Sequence, residues 1–405
     1  SLHCPRNRPD SSTNALENSY TRDLSSRRTG RWEVFAMGLL AKIVDDKHAV
    51  YCGTAAAVLA GSYVLYKMVG GDTGFRTNFF KVGNTGALSR EDMKDMIDGY
   101  EEFFTQDDGK GVGARKLDTP KFVDHFYSLI TDFYEYGWGQ AFHFAPRNKG
   151  ESFDASIIRH EVKIAESIKM KPGMKVLDAG CGVGGPMRAI VKATGANVVG
   201  ITINEYQVKR CNEECKKQKL DHLASVVQGS FLEMPFPENS FDGCYCIEAA
   251  CHSPTLLELY KQVYKVIKPG TYFSSYEWLT TPKYDIKNKE HVDIVDGVAK
   301  GNALPDVRSI ADALKAGKDA GFELVMHYDV ALNADIPWQA AMRTARRAAY
   351  LTDMITYVLE KLGWAPHGTW ATHQMLLRAA DNLEKSGEMG IFTPMYLVTF
   401  RKPLE

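Results

Sequence analysis

The sequence has no excess of either charge. Its 49 lysines and arginines are balanced by 50 aspartates and glutamates, which gives a formal net charge of -1, and no long run of one sign occurs. A protein that binds nucleic acid needs a basic surface to attract the phosphate backbone. Nucleic acid is therefore not an expected partner.

Paired cysteines are also missing. The eight cysteines are scattered among apolar neighbours, without a CxxC unit. This is not the dense pattern of a secreted disulfide scaffold, and it predicts reduced thiols in a chain that faces the cytosol. Two close pairs, Cys211 with Cys215 and Cys244 with Cys246, have no nearby histidine at ligand spacing, so no metal is expected.

One stretch without charge stands out near the N-terminus. Residues 1–48 have the composition of a disordered tail, or less plausibly of an organelle presequence. Residues 49–66 carry no charge and lie between Lys47 and Lys67; as a helix they would span about 27 Å, which suits a membrane of the endoplasmic reticulum. We therefore expect a membrane anchor over 49–69 with the catalytic domain in the cytosol; a buried alanine-rich helix is the alternative. Small residues at four-residue spacing in this stretch leave a homo-oligomer open.

After a linker and a helix over 70–120, a glycine cluster follows a short apolar stretch, in KPGMKVLDAGCGVGG. This is the strand, loop and helix that open a doubly wound α/β domain. Asp178 precedes Gly180, Gly182 and Gly184, and a carboxylate there would repel the pyrophosphate of a dinucleotide. S-adenosylmethionine has no phosphate and offers a cationic ammonium, so these residues are predicted to bind that cofactor. A tight turn with a capping aspartate is the alternative.

Further strands are predicted at 197–203, 224–229, 243–248 and after 266–273, which implies a mostly parallel sheet with ligands at its carboxyl edge. Thr202, Ser230 and Glu248 stand at that edge. Thr202 occupies the position of a ribose-binding acid, so Asn204 and Gln207 are the expected substitutes through amide hydrogen bonds. Ser230 and Phe231 are expected beside the adenine, although methyltransferases of this kind commonly have an aspartate at the position of Ser230.

Six ordered segments resemble the sterol 24-C-methyltransferases over roughly residues 85–405. They are YEYGWGQAFHF, GCGVGGP, GITINEYQ, IEAACHSP, YEW and IFTPMYLVTFRKP. The resemblance implies a class I methyltransferase fold, S-adenosylmethionine as methyl donor and a sterol acceptor. The chain departs from the family at VAKGNALP, where Lys300 and Asn302 replace acids, so a substrate role for that segment is unsafe.

These observations predict a methyltransferase domain formed by 121–330 together with 390–405. Residues 331–389 are mainly amphipathic and helical in pattern. They are interpreted as an insertion that covers the acceptor, with ordinary helix packing as the alternative.

Methylation of an alkene needs no activated nucleophile, because the π bond itself attacks the methyl. The protein must supply in-line placement, a dry pocket, stabilisation of a cation and a base. Aromatic faces stabilise a desolvated cation, which makes Tyr134, Tyr136 and Trp138 candidates. The candidate bases are Glu135, His143, Glu248 and His252. The alternatives are a methyltransferase of squalene or another triterpene, a cyclopropane-forming lipid enzyme, and a silent cofactor-binding membrane protein.

Overall fold

The structure is a computed structural model that describes residues 139–363 and 368–404 and, before them, residues 123, 124, 126–128, 131 and 135. Within the longest helix, the side chains of residues 341 and 343–352 are outside the description. The seven described residues before 139 are helical. We refer to these residues (123, 124, 126–128, 131 and 135) as the cover residues. The tail, the anchor and the helix predicted over 1–120 lie outside the described residues and stay predictions.

Helices and strands alternate through the chain in the order expected. The helices are α1 (Phe153–Ser167), α2 (Gly185–Thr194), α3 (Glu205–Lys217), α4 (Leu256–Val266), α5 (Lys289–Gly301), α6 (Ile310–Asp319), α7 (Ala340–Lys361) and α8 (Thr369–Met389). The strands are β1 (Lys175–Ala179), β2 (Asn197–Thr202), β3 (Ala224–Gln228), β4 (Gly243–Ile247), β5 (Tyr272–Thr280), β6 (Arg308–Ser309), β7 (Glu323–Asp329) and β8 (Phe392–Arg401).

All eight strands belong to one sheet, in the order β3-β2-β1-β4-β5-β8-β7, with the short β6 paired to β5. The strands from β3 to β5 run parallel, whereas β8 is antiparallel to both β5 and β7. Parallel neighbours need a crossover, and here helices provide it. The predicted α/β fold with a mostly parallel sheet is confirmed.

Each face of the sheet carries its own apolar core. One core joins the strands to α1, α2 and α3 through side chains such as Ile164, Ile190 and Cys211. The other joins them to α4 and α6 through side chains such as Val263 and Ala313. The two faces are therefore both covered by helices, which is why the parallel strands are almost continuously apolar.

Short polar residues determine where several helices begin. Ser152, Asn204 and Thr255 each accept a hydrogen bond from a backbone amide in the first turn of α1, α3 and α4. Ser309 forms a reciprocal capping box with Asp312 at the start of α6. These caps satisfy amides that have no partner within the helix.

The predicted helical insertion contains α7 and α8, and these two helices pack against each other. Near the end of α7, Met354, Tyr357, Val358 and Leu362 are exposed. Among the described helices, none is both long and apolar enough to cross a membrane.

Candidate active site

A cavity that opens to solvent lies at the carboxyl edge of β1, β2, β3 and β4. The residues that line it come from strand ends, from the start of α2 and from the cover residues. Around the glycine loop they are Gly180, Cys181, Gly182, Val183, Pro186, Thr202, Ile203, Gln207, Gly229, Ser230, Phe231 and Leu232, together with Gln140 and Ala249. At the other end they are Val123, Tyr127, Phe142, His143, Ile247, Glu248 and His252.

The glycine loop after β1 turns sharply beside the cavity. Gly180 and Gly182 line the cavity with φ values of +89° and +53°. Gly184 does not line it: at φ +73° it begins α2, and a β-carbon there would lie 2.4 Å from the Sγ of Cys211. Gly184 is thus needed for the close packing of the loop on α3, in addition to its left-handed backbone.

Asp178 lies behind this loop. Its side chain is buried and accepts a hydrogen bond of 2.9 Å from the Oη of Tyr245, and it is absent from the cavity lining. Burial raises the pKa of Asp178 to about 7, against the lowering effect of the Tyr245 hydrogen bond. Its predicted contact with a cofactor ammonium stays a prediction, since in this structure one carboxylate oxygen accepts from Tyr245.

Thr202 and Gln207 line the cavity and bind each other. The Thr202 hydroxyl donates to Oε1 of Gln207 at 2.7 Å, and Nε2 of Gln207 lies 3.4 Å from Oγ1 of Thr131. The end of β2 therefore presents a joined hydroxyl and amide to the cavity, next to one of the cover residues.

Asn204, predicted as a ribose ligand, does not line the cavity. Its Oδ1 accepts from the Gln207 amide and caps α3, and its Nδ2 donates to Oδ1 of Asp124 and to Oγ of Ser128, each at 2.8 Å. Its contact with a ribose stays a prediction, since Oδ1 is used to cap α3 and Nδ2 holds the cover residues against it.

Ser230 and Phe231 line the cavity after β3, and their place beside the adenine stays a prediction. The Ser230 hydroxyl accepts from the Leu232 amide at 3.1 Å. The Phe231 ring supplies an apolar face between this turn and the glycine loop, because two of its carbons lie 3.7 Å from the position that a β-carbon of Gly180 would occupy.

Glu248 directly follows β4 with a left-handed backbone, φ +52°. Its Oε1 accepts from the Phe144 amide and its Oε2 from the Trp278 indole, both at 2.8 Å. Burial raises its pKa to about 8, although the charge of His143 and the two hydrogen bonds act in the opposite direction. Such a perturbed carboxyl on a cavity wall is typical of a functional site.

His143 lies beside Glu248 and is fixed through both ring nitrogens. Nδ1 lies 2.8 Å from the Phe144 carbonyl, and Nε2 lies 3.1 Å from Oε1 of the buried Glu161. Burial alone would lower the pKa of His143, but the hydrogen bond and charge of Glu161 and the charge of Glu248 raise it above its ordinary value. His143 therefore places positive charge next to Glu248.

His160 completes a buried group that resembles a metal site. Potential ligand atoms of His143, His160 and Glu248 lie within 4.8 Å of one another. His160 stacks on Tyr276 with ring centroids 3.7 Å apart, and its nitrogens have no hydrogen-bond partner within the described part of the chain. The polar atoms of His143 and Glu248 are already in hydrogen bonds that a metal would have to displace, so we interpret these two side chains as hydrogen-bonded groups beside the stacked His160.

His252 lies at the same end of the cavity and binds Tyr127. The Tyr127 Oη is 2.8 Å from Nε2 of His252. Burial lowers the pKa of His252 to about 4, so the ring is neutral at pH 7. The sequence reasoning missed Tyr127, although it lies seven positions before the aromatic run that begins at Tyr134 and so on the same face of a continued helix.

Glu135 is turned away from the cavity. It forms hydrogen-bonded ion pairs with Arg210 of α3, with distances of 3.0 and 3.1 Å, and accepts from Nε2 of Gln140. It does not line the cavity, so a role as base does not fit this position. Tyr134, Tyr136 and Trp138 lie outside the described residues, and their predicted roles stay predictions.

The sequence matches two family models, one described as methyltransferase domain over residues 177–275 and one as sterol methyltransferase C-terminal over residues 340–404. It is 45% identical to 24-methylenesterol C-methyltransferase 3 of Arabidopsis thaliana over 88% of this chain and 98% of that protein. It is 41% identical to cycloartenol-C-24-methyltransferase 1 of Oryza sativa subsp. japonica over 80% of this chain and 96% of that protein. Among solved structures, a mycolic acid cyclopropane synthase complexed with SAH and CTAB superposes with a TM-score of 0.58, at 13% identity, over 69% of this chain and 97% of that one. At that identity the superposition shows the fold alone.

Proposed function

This chain belongs to the sterol C-methyltransferase family, and from that premise we propose that it transfers a methyl group from S-adenosylmethionine to C24 of a sterol side-chain alkene. When bound, S-adenosylmethionine supplies an electrophilic methyl group on a positively charged sulfur. The observation that carries the proposal is a single cavity that joins the glycine loop to the buried Glu248 and His252. A cofactor and an acceptor placed at the two ends would meet near Glu248.

The glycine end fits a cofactor without phosphate. No lysine or arginine is among the residues that line the cavity in the described part of the chain, so no side-chain cation is placed there to pair with a phosphate. Hydroxyl and amide groups of Thr202, Gln207 and Ser230 are available for hydrogen bonds to a ribose and an adenine, and Phe231 offers a ring face. Gly182 leaves open space on its cavity side, because nothing lies within 4 Å of the position of a β-carbon.

The acceptor end fits an apolar molecule whose reaction passes through a cation. Phe142 and Ile247 give it an apolar wall, and Tyr127 adds an aromatic face. Among the described residues that line the cavity, Glu248 is the one with a carboxyl group. Its two oxygens accept hydrogen bonds from the Phe144 amide and the Trp278 indole. A carboxylate fixed in this way stabilises positive charge on the sulfur before transfer and on the side chain after it, without reorganising during the reaction.

We further propose that the enzyme works on the endoplasmic reticulum membrane with its catalytic domain in the cytosol. Two observations support this proposal: the uncharged stretch 49–66 in the sequence, and the exposed apolar side chains near the end of α7. A sterol acceptor would itself be dissolved in lipid, so a catalytic domain held at a membrane meets it at high local concentration.

The direct test is to incubate the purified full-length protein with methyl-labelled S-adenosylmethionine and, in separate reactions, with cycloartenol, a 24-methylene sterol and squalene. Label should pass to at least one of the two sterols. Transfer to squalene alone would replace the proposal with triterpene methylation, and transfer to none of the three would overturn it.

A further inference from the structure

The acceptor end of the cavity contains a phenol and an imidazole in direct contact. Tyr127 is one of the cover residues, and its ring packs edge-on against both Phe126 and His252. Its Oη lies 2.8 Å from Nε2 of His252, and both residues line the cavity. The cover residues thus bring a hydroxyl to the reaction space and connect it to the loop after β4.

The hydrogen-bond partners of His252 define its tautomer. Nδ1 lies 3.4 Å from the carbonyl oxygen of Ala303, which can only accept, so Nδ1 carries the proton. In the neutral ring Nε2 is then the acceptor, and the Tyr127 hydroxyl donates to it. The ring is neutral because it is buried and because the Arg308 cation lies nearby.

The loop that carries His252 is held rigidly. Arg308 donates to the carbonyls of Cys251, Ser253 and Pro254, on both sides of His252. This fixed position of the imidazole gives the Tyr127 hydroxyl a constant direction. A proton acceptor oriented by a second group is the arrangement that general-base catalysis requires.

On the basis of the proposed function, we propose that Tyr127 removes the proton that ends the reaction and passes its own proton to His252. The C–H bond next to the cationic carbon breaks, and its electron pair becomes the new π bond. The released proton bonds to Oη of Tyr127 while the phenolic proton moves to Nε2 of His252. The positive charge thus leaves the carbon and ends on the imidazolium, whose Nδ1–H still faces the Ala303 carbonyl.

A weak base is sufficient for this step, because a C–H bond adjacent to a carbocation is far more acidic than a phenol or an imidazolium. A neutral base also has an advantage beside an alkylating cofactor, since it is a poor nucleophile toward the methyl group and the cation. Glu248 has both oxygens occupied by N–H donors. It therefore serves to stabilise charge, while the neutral pair takes the proton.

The test is Tyr127→Phe in the full-length protein, which keeps the ring and removes the acceptor oxygen. Turnover should fall about 100-fold, the lower range for loss of a general base. The KM for S-adenosylmethionine should stay within about twofold of the wild-type value, which is the change expected from a substitution that does not affect cofactor binding. Part of the product should become a methylated alcohol, because a cation that is not deprotonated is captured by water. Tyr264→Phe is the matched control, since Tyr264 contacts Phe322 away from the cavity.

A second comparison asks whether the two residues act as one unit. His252→Gln should give the same alcohol. The double variant Tyr127→Phe/His252→Gln should have a turnover no more than about twofold below that of the slower single variant, because the effects of two residues that act in one relay do not add. The proposal would be overturned if Tyr127→Phe had normal turnover and gave the alkene product, or if it raised the KM for the sterol and left turnover unchanged. The hydrogen bond between Tyr127 and His252 would then serve only to hold the cover residues in place. A wild-type protein that methylates no sterol would instead overturn the proposed function itself.

Discussion

The indole Nε1 of Trp278 donates a hydrogen bond of 2.8 Å to Oε2 of Glu248, although Trp278 lies within β5 and Glu248 directly after β4. Because β4 and β5 are parallel neighbours, the register of the sheet brings the two side chains together. The Phe144 amide holds the other oxygen. The two N–H donors therefore hold the carboxyl of Glu248 in place.

Binding of S-adenosylmethionine should release a proton at pH 7. The pKa of Glu248 is raised to about 8, so the carboxyl is mostly protonated before binding, and a positive sulfur beside it favours the ionised form. The affinity should therefore rise as pH increases toward 8, by up to about tenfold per pH unit, and level off above that value. Calorimetric titration at pH 7 in two buffers of different ionisation enthalpy measures the number of protons released.

The control for this titration is Glu248→Gln, which has no proton to release. The Gln variant should lose most of the proton release and most of the rise in affinity with pH. Any remainder should disappear when Asp178→Asn is added to Glu248→Gln, because the pKa of Asp178 is raised to about 7. Equal proton release by wild type and Glu248→Gln would contradict the role given to this carboxyl.

Asn204 should prove to have two separable roles. Asn204→Ala removes both the cap of α3 and the hydrogen bonds to Asp124 and Ser128, and should lower the free energy of unfolding by about 1 to 2 kcal/mol. Asn204→Asp keeps the cap but loses the amide donors and faces Asp124 with a second carboxylate. Chemical unfolding should show a larger loss for Asn204→Asp than for Asn204→Ala, because a buried carboxylate that faces Asp124 costs more than the retained cap contributes, while the KM for S-adenosylmethionine should rise in both variants. A change of KM in neither variant would mean that the cover residues do not affect cofactor binding.

The course of the sheet and the helices was predictable because periodicity and glycine position are local properties of the sequence. β2 and β4 begin at the residues expected, and Thr202, Ser230 and Glu248 line one cavity because parallel strands end at the same edge. For Asn204 and Glu135 the structure shows contacts that the sequence did not predict, and the two have a shared reason. Each belongs to an interaction between the cover residues and α3, and which distant residue takes up an amide or a carboxylate is not encoded in local spacing.

Asp178 illustrates the same limit in a different way. Its position before the glycines was informative about the loop, but the direction of its side chain depends on Tyr245, which belongs to the neighbouring strand β4. Tyr127 was missed because it precedes the recognised aromatic run, and its partner His252 is 125 residues later. Long-range pairs of this kind become visible only in the folded chain.

Asp178→Asn should weaken S-adenosylmethionine binding about tenfold, or about 1.4 kcal/mol, because a buried carboxyl that can ionise beside a bound cation is replaced by a neutral amide. Tyr245→Phe is the comparison, since it removes the hydroxyl that donates to Asp178 and leaves the carboxyl. It should weaken binding less than Asp178→Asn. Calorimetric titration of both variants measures the difference, and an unchanged affinity in Asp178→Asn would remove this residue from the cofactor site.

The membrane proposal predicts that the full-length protein sediments with membranes and is released only by detergent. A chain that begins at Val82 lacks the uncharged stretch 49–66 and should be more soluble while it still binds S-adenosylmethionine. Fractionation of both proteins, with cofactor titration of the shorter one, is the measurement. Full-length protein that stays in the soluble fraction without detergent or lipid would exclude the anchor.

The position of the new carbon tests the proposed function most directly. The full-length enzyme is supplied with ¹³C-methyl S-adenosylmethionine and the sterol it accepts, and the product is examined by NMR. A cavity that places the methyl donor beside Glu248 and the side-chain alkene beside Tyr127 predicts that the labelled carbon is bonded to C24 and that the product carries one alkene formed by proton loss. Label on a sterol oxygen, or on a ring carbon, would contradict it.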